Sequence, residues 1–217
     1  MEKKKNTKDL INNYLQSEEH KKHNKFLEDK RKTIKRGANV LHLQHLGEFS
    51  DKELKELNNK LLNANLELSS YNKSGDTFAM LDTYELVSYF VIHQQLIKEI
   101  LKSVGTSAIW DAVKWSLLFG WKKLRNEKYY KLNSTTKEEK KLIFGVSVKL
   151  DENTGFDFEL NGSLSNEIIE TSIDKVLDFM REQKKNTDFK LNNYVNYSET
   201  EKKWNKVDVM DELNKNN

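Results

Sequence analysis

Histidine is the residue type whose spacing in this sequence first suggests chemistry. Four of the five histidines form two H-x-x-H pairs, His20 with His23 and His42 with His45. Two imidazoles three positions apart on a helix lie on one face, so each pair can supply half of a zinc site. The second pair is the better metal candidate, because it lies in an apolar stretch with Glu48 three residues beyond His45. The first pair lies in a charged stretch and is expected to be solvated.

A second spacing concerns Arg36 and His42, which are separated by five residues. This spacing resembles the R-x4–6-H pattern of HEPN-type ribonucleases, in which the arginine and the histidine act on the phosphate and the 2′-hydroxyl of RNA. The resemblance covers seven residues, and the position after the arginine, often polar in that family, is Gly37 here. It implies a ribonuclease that uses Arg36 and His42 as catalytic residues.

Other catalytic signatures are missing from the sequence. The eight glycines are scattered singly, so there is no G-x-G-x-x-G or Walker loop to hold a phosphate. The sequence also has no G-x-S-x-G elbow and no H-E-x-x-H motif. Neighbouring carboxylates such as Glu18 and Glu19 are predicted to lie on solvated faces. We therefore predict no cofactor and favour a protein without catalytic activity.

The composition is that of a folded protein in a reducing compartment. Charged residues make up 33% of the chain, hydrophobic residues 36% and aromatic residues 10%, which is enough apolar material for a core. The chain has no cysteine, which excludes disulfides, thiolate metal sites and cysteine nucleophiles. The basic start MEKKKNTKDL is not followed by an apolar segment, so no secretory signal is expected. These features predict a cytoplasmic protein.

Charge is distributed unevenly along the chain. Residues 1–141 hold 27 lysines and arginines against 19 aspartates and glutamates, and residues 142–217 hold 10 against 15, so the two parts carry +8 and −5. The basic part makes nucleic acid a possible partner. The candidate contacts are Lys122, Lys123, Arg125 and Lys128. Lysine outnumbers arginine 33 to 4, which also fits the codon bias of an AT-rich bacterial or mobile-element genome and a solvated lysine-rich face.

The most apolar part of the chain is the segment 83–125. Its spacing of apolar residues predicts two helices that are hinged at Gly105. The predicted N-terminal capping residues are Asp82 with Glu85 for the first helix, and Thr106 or Ser107 for the second. This helical hairpin is expected to form the centre of the molecule.

The tryptophans of the second helix do not share one face. At about 100° per residue, Trp115 points about 140° away from Trp110, whereas Trp121 lies only about 20° from Trp110. Trp110 and Trp121 can therefore pack inward while Trp115 and Phe119 point elsewhere. We expect these two side chains to be covered by the β-hairpin, a second copy of the chain, another protein or a lipid surface. We predict a protein partner or self-association through Trp115 and Phe119, with a membrane-active helix at 106–125 as an alternative.

The pattern divides the chain into four parts. Residues 1–49 are predicted to be a basic helical segment and residues 50–125 a helical core. The core opens with a capping box at Ser50 and Glu53, followed by a helix to about Leu68.

The chemistry of the sequence changes after the core. Residues 126–141 are predicted to be a linker, and residues 142–217 a β-hairpin plus a helix with a polar C-terminal tail. The hairpin is indicated by alternating apolar residues, namely Leu142, Phe144, Val146, Val148 and Leu150, then Phe156, Phe158 and Leu160. The helix is expected from Ser165 or Asn166 to about Gln183. The predicted fold class is α+β, predominantly α.

Overall fold

A seven-stranded mixed sheet with helices on one face is the main feature of the computed structural model of this chain. The structure describes residues 17–74, 86–102, 108–132, 137–152, 154–183 and 193–207. The chain falls into two units, the first ending at Lys35 and the second beginning at Arg36.

The elements are numbered in chain order. The described helices are α1 (Glu18–Lys32), α2 (Asp51–Leu62), α3 (Gln94–Lys102), α4 (Ala108–Leu124) and α5 (Asn166–Gln183). The described strands are β1 (Val40–His45), β2 (Glu67–Asn72), β3 (Ser88–Ile92), β4 (Lys128–Leu132), β5 (Lys137–Lys141), β6 (Phe144–Lys149), β7 (Gly155–Glu159), β8 (Asn193–Ser198) and β9 (Lys203–Val207). Helix α1 belongs to the first unit, and all other elements belong to the second.

The large sheet has the strand order β2-β1-β3-β6-β7-β8-β9, and β4 pairs with β5 in a separate two-stranded sheet. Parallel pairs (β1–β2, β3–β6 and β7–β8) alternate with antiparallel pairs (β1–β3, β6–β7 and β8–β9). The pairing of β3 with β6 brings together segments that are separated in the chain by α3 and α4. The centre of the sheet therefore depends on long-range contacts.

The fold class predicted from the sequence, α+β and predominantly α, is wrong, because a mixed seven-stranded sheet with flanking helices is an α/β fold. The segment 83–125 contains two helices, α3 and α4, but the first is shorter than predicted, because the residues before it form the strand β3 with the sequence SYFVI. A short apolar run of β-branched and aromatic residues does not distinguish a buried strand from a buried helix by its periodicity. The predicted hinge at Gly105 and the predicted caps at Asp82 and Thr106 lie outside the described residues.

Strands lie on both sides of α2, in the apolar stretch before it and where the predicted helix continued after it. The helix ends at Leu62, and Asn65 then adopts a φ of 58° before β2 begins. The predicted helix to about Leu68 was therefore too long. The apolar stretch before α2, which belongs to the predicted basic helical segment 1–49, contains the strand β1.

Several local predictions are confirmed. Ser50 and Glu53 form a complete capping box at the start of α2, with Ser50 Oγ and the Glu53 carboxylate each accepting a backbone N–H. The predicted hairpin is the antiparallel pair β6–β7, and the predicted helix after it is α5.

The predicted linker 126–141 contains the strands β4 and β5, and the predicted polar C-terminal tail contributes β8 and β9 to the large sheet.

One face of the large sheet is covered by helices. Alternate residues of the central strands, such as Phe90, Phe144 and Phe158, join the buried side chains of α2, α3, α4 and α5 in one hydrophobic cluster. Helix α4 lies close against β6 at Gly120, because a Cβ atom added to Gly120 would lie 2.5 Å from the Phe144 ring. Glycine at this position lets the helix lie directly against the sheet.

Two ion pairs fix the order of the helical layer. Lys123 of α4 bonds Glu53 of α2 at 2.7 Å, and Lys114 of α4 bonds Asp174 of α5 at 2.7 Å. Helix α4 therefore lies between α2 and α5. In the first unit, the Ser17 hydroxyl caps α1 by accepting the N–H of His20.

Candidate functional site

The face of the sheet opposite the helices carries polar and ring side chains. Side chains of a strand alternate between the two faces, and paired residues of neighbouring strands share a face. Because the buried apolar side chains of α2, α3, α4 and α5 all belong to the cluster on the first face, the intervening residues make up what we call the polar face. Its central members are Ser69, His42, Gln44, Tyr89, Val91, His93, Ser147 and Asp157.

Two histidines lie side by side on the polar face. The His42 and His93 ring centroids are 4.6 Å apart, with the ring planes at 85°. His42 pairs with Val91 across β1 and β3, and His93 lies two residues beyond Val91 on the same face. Both rings are half-buried, and within the described chain neither makes a hydrogen bond. The sequence alone does not identify His93, because its segment was predicted to be helical.

Burial controls the charge of this histidine pair. Desolvation and, to a smaller extent, the nearby His93 together lower the pKa of His42 to about 4. The pKa of His93 is also lowered, mainly by burial and in part by the charge of Lys149. Both rings are therefore neutral at pH 7.

The other end of the polar face is occupied by its own interactions. The Tyr89 hydroxyl donates to Gln44 Oε1 at 2.9 Å, and Lys73 Nζ lies 4.7 Å from the centroid of the Tyr89 ring. The Leu86 side chain lies over Gly145. The His42 and His93 rings are thus polar groups of this face that make no hydrogen bond within the described residues.

The pair His42 and His45, predicted as metal ligands, lies on opposite faces of β1. Residues three apart on a strand point in opposite directions, and His45 is buried on the helical side while His42 is on the polar face. Within the described part of the chain, no three histidine, aspartate or glutamate side chains are grouped around a metal site. The two histidines therefore cannot share one ion.

His45 joins Ser70 and Glu48 in an arrangement that has the residue types of a hydrolase triad. Its Nε2 atom lies 2.9 Å from Ser70 Oγ, and its Nδ1 atom lies 3.8 Å from Glu48 Oε2. The backbone N–H of Gly47 donates to Nδ1 at 3.0 Å, so the ring proton is assigned to Nε2, which donates to Ser70. A general base needs the opposite tautomer to take the serine proton.

The carboxylate of Glu48 is also occupied. It accepts the N–H of Leu46 at 2.7 Å and the hydroxyl of Ser88 at 2.9 Å. Together with the 2% exposure of His45, these bonds indicate that the network stabilises the end of β1 against β2 and β3.

Arg36 is exposed and precedes β1, whereas His42 lies in the middle of that strand. The seven-residue spacing that resembles the HEPN pattern therefore spans a loop and a strand. Ribonuclease activity at Arg36 and His42 stays a prediction from the sequence.

A second candidate surface lies on the outer side of α4. The half-buried side chains Trp115, Leu118 and Phe119 form what we call the aromatic ledge. The Trp115 and Phe119 rings stack with centroids 5.2 Å apart, and Lys60 Nζ of α2 lies 5.7 Å from the Trp115 centroid. Trp110 and Trp121 are buried in the core, so the aromatic side chains of α4 that meet solvent are Trp115 and Phe119 of the ledge.

The four basic residues predicted to contact nucleic acid are mostly engaged within the protein. Lys123 bonds Glu53, Lys128 bonds Glu139, and the Arg125 guanidinium lies 5.1 Å from the centroid of the Trp121 ring. Lys122 is exposed. Nucleic-acid binding by these residues stays a prediction.

Eight side chains of α4 are buried, so the helix is part of the core. None of the helices that the structure describes combines the length and apolar character needed to cross a bilayer. Comparison with known proteins adds no family, since no family model, curated protein or solved structure matches this chain.

Proposed function

We propose that this chain is a non-enzymatic interaction protein that associates with a second copy of itself through the aromatic ledge. The observation that carries the proposal is the stacked pair Trp115 and Phe119, two large aromatic side chains that are half-exposed on a helix most of whose apolar residues are buried. Tryptophan is enriched among the residues that dominate binding energy at protein interfaces. We also propose a cytoplasmic location, which the cysteine-free sequence supports.

Charge on either side of the ledge favours a second copy as the partner. The exposed charged residues of α2 are Lys52, Lys55 and Lys60 against Asp51 and Glu56, a balance of +1, and those of α5 are Arg181 against Glu167, Glu170, Asp174 and Glu182, a balance of −3. A twofold axis parallel to α4 would bring the ledge of one copy against the ledge of the other. The same axis would set α2 of each copy opposite α5 of its partner, so the surface is complementary to itself in both apolar character and charge.

Sedimentation velocity of the full chain over a range of concentrations tests this proposal. We expect a dimer that weakens with salt, and about 2 kcal/mol or about thirtyfold weaker association in Trp115→Ala. Phe119→Ala should have the same direction of effect. The matched control is Phe26→Ala, because Phe26 is a 54% exposed aromatic residue of the first unit. A monomer at all concentrations, or a dimer that both ledge variants leave unchanged, would overturn the proposal.

A further inference from the structure

The polar face holds two imidazole rings that have no part in the proposed association through the aromatic ledge. His42 and His93 are half-buried, their centroids are 4.6 Å apart, and their nitrogens make no hydrogen bonds within the described chain. Neither residue has a ring nitrogen that is both buried and unpartnered, so the nitrogens keep some contact with solvent. The pair therefore has ligand atoms that an ion can reach from solvent and for which no hydrogen bond within the described residues competes.

The separation of the rings fits a shared ion. A divalent metal lies about 2.0–2.1 Å from an imidazole nitrogen. Two imidazoles bound to one ion at a ligand–metal–ligand angle of about 90–110° then have ring centroids roughly 4.5–5.2 Å apart. The observed 4.6 Å lies within this range, so the backbone of β1 and β3 already holds the two side chains at a suitable spacing.

We infer that His42 and His93 form a two-imidazole site for a borderline divalent transition metal such as Zn²⁺ or Ni²⁺. Neutral imidazole is the ligating form, and it suits these ions better than Mg²⁺ or Ca²⁺, which prefer oxygen ligands. The described chain supplies no third histidine or carboxylate to the group. Water or a small anion completes the coordination of the ion. The metal site is independent of the proposed dimer.

Calorimetric titration of metal-free protein with Zn²⁺ alone tests the site. Wild type should show one saturable site, and both His42→Gln and His93→Gln should lose it. The matched control is the double variant His20→Gln/His23→Gln, because that pair is spaced to bind zinc adventitiously on a helix. The control should retain the site. Zinc binding that survives in both single variants, or that is lost only in the control, would overturn the inference.

A second measurement on the wild type keeps the test independent of variant folding. Ni²⁺ is paramagnetic in octahedral coordination and broadens the NMR signals of its ligands. Substoichiometric Ni²⁺ should broaden the ring signals of His42 and His93 before that of His20. Broadening that begins at His20, or equally at all histidines, would contradict a site on the polar face.

Discussion

At the scale of single residues, Glu53 shows how one side chain connects a helix start to a neighbouring helix. Its carboxylate accepts hydrogen bonds from Lys123 of α4, from the Ser50 hydroxyl and from the Ser50 backbone N–H. In that order of importance, these bonds lower the pKa of Glu53 to about 2 from an ordinary value of 4.5. The ionised carboxylate is therefore stabilised in the folded protein.

The depressed pKa predicts an acid-dependent loss of stability. Because the unfolded chain binds the proton first, the contribution of Glu53 is fully present above pH 4.5 and is lost as the pH falls from 4.5 toward 2. The shift corresponds to about 3 kcal/mol at most, and the 27% exposure of both side chains reduces our expectation to about 1–2 kcal/mol.

Urea unfolding of Glu53→Gln over a series of pH values measures this contribution. The variant should be less stable than wild type by about 1–2 kcal/mol at neutral pH, and the difference should vanish near pH 2. Glu56→Gln is the matched control, because Glu56 is an exposed carboxylate of the same helix. A difference that does not change with pH would contradict this account of Glu53.

At the scale of elements, the hairpin β6–β7 contains one glycine in a tightly packed position and one in an open position. A Cβ atom added to Gly145 of β6 would lie 2.2 Å from the Phe158 carbonyl oxygen and 2.7 Å from Leu86 Cδ2. A Cβ atom added to Gly155 of β7 would meet nothing closer than the Val148 carbonyl oxygen at 3.5 Å. A side chain at Gly145 would therefore clash, whereas a side chain at Gly155 of the same hairpin would not.

Substitution of the two glycines tests this packing. Gly145→Ala should cost about 3 kcal/mol or more, because the clash is with backbone that cannot move without breaking the strand pairing. Gly155→Ala should be neutral or stabilise by about 0.4–1 kcal/mol, because alanine restricts the unfolded chain without a clash. Urea unfolding of both variants gives the comparison, and equal stabilities would show that the described approach of β6 to Phe158 is incorrect.

At the scale of the whole molecule, the position of the tryptophans connects the fold to the proposed function. Trp110, Trp121 and Trp204 are buried, and Trp115 is half-buried on the aromatic ledge. Helix α4 is held between α2 and α5 by ion pairs on both sides. Moving it onto a lipid surface would expose the core cluster that covers the sheet.

Tryptophan fluorescence with anionic vesicles distinguishes the ledge from a membrane-binding helix. We expect blue-shifted emission that the vesicles leave unchanged, because three of the four tryptophans are in the core. Trp115→Phe serves as the control, since it removes the ledge tryptophan and should leave the remaining emission more blue-shifted. Red-shifted emission in buffer that moves to the blue with lipid would favour the membrane-active alternative instead.

The sequence by itself determined the elements that depend on near neighbours. The capping box at Ser50 and Glu53, the β6–β7 hairpin and the amphipathic helix α5 were all predictable, because their hydrogen bonds and apolar periodicity lie within short stretches of chain. The inward packing of Trp110 and Trp121 followed from the helical repeat in the same way.

Tertiary structure alone decided the centre of the molecule and the candidate sites. The strand β3 pairs with β1 and β6, which are distant in the sequence, and the periodicity of its apolar run does not distinguish a strand from a helix. That pairing creates the polar face, brings His93 to His42 and separates His42 from His45. Two residues three apart share a face in a helix but lie on opposite faces of a strand. Their spacing therefore shows which side chains are close only when the element type is known, and here the element type depends on long-range strand pairing.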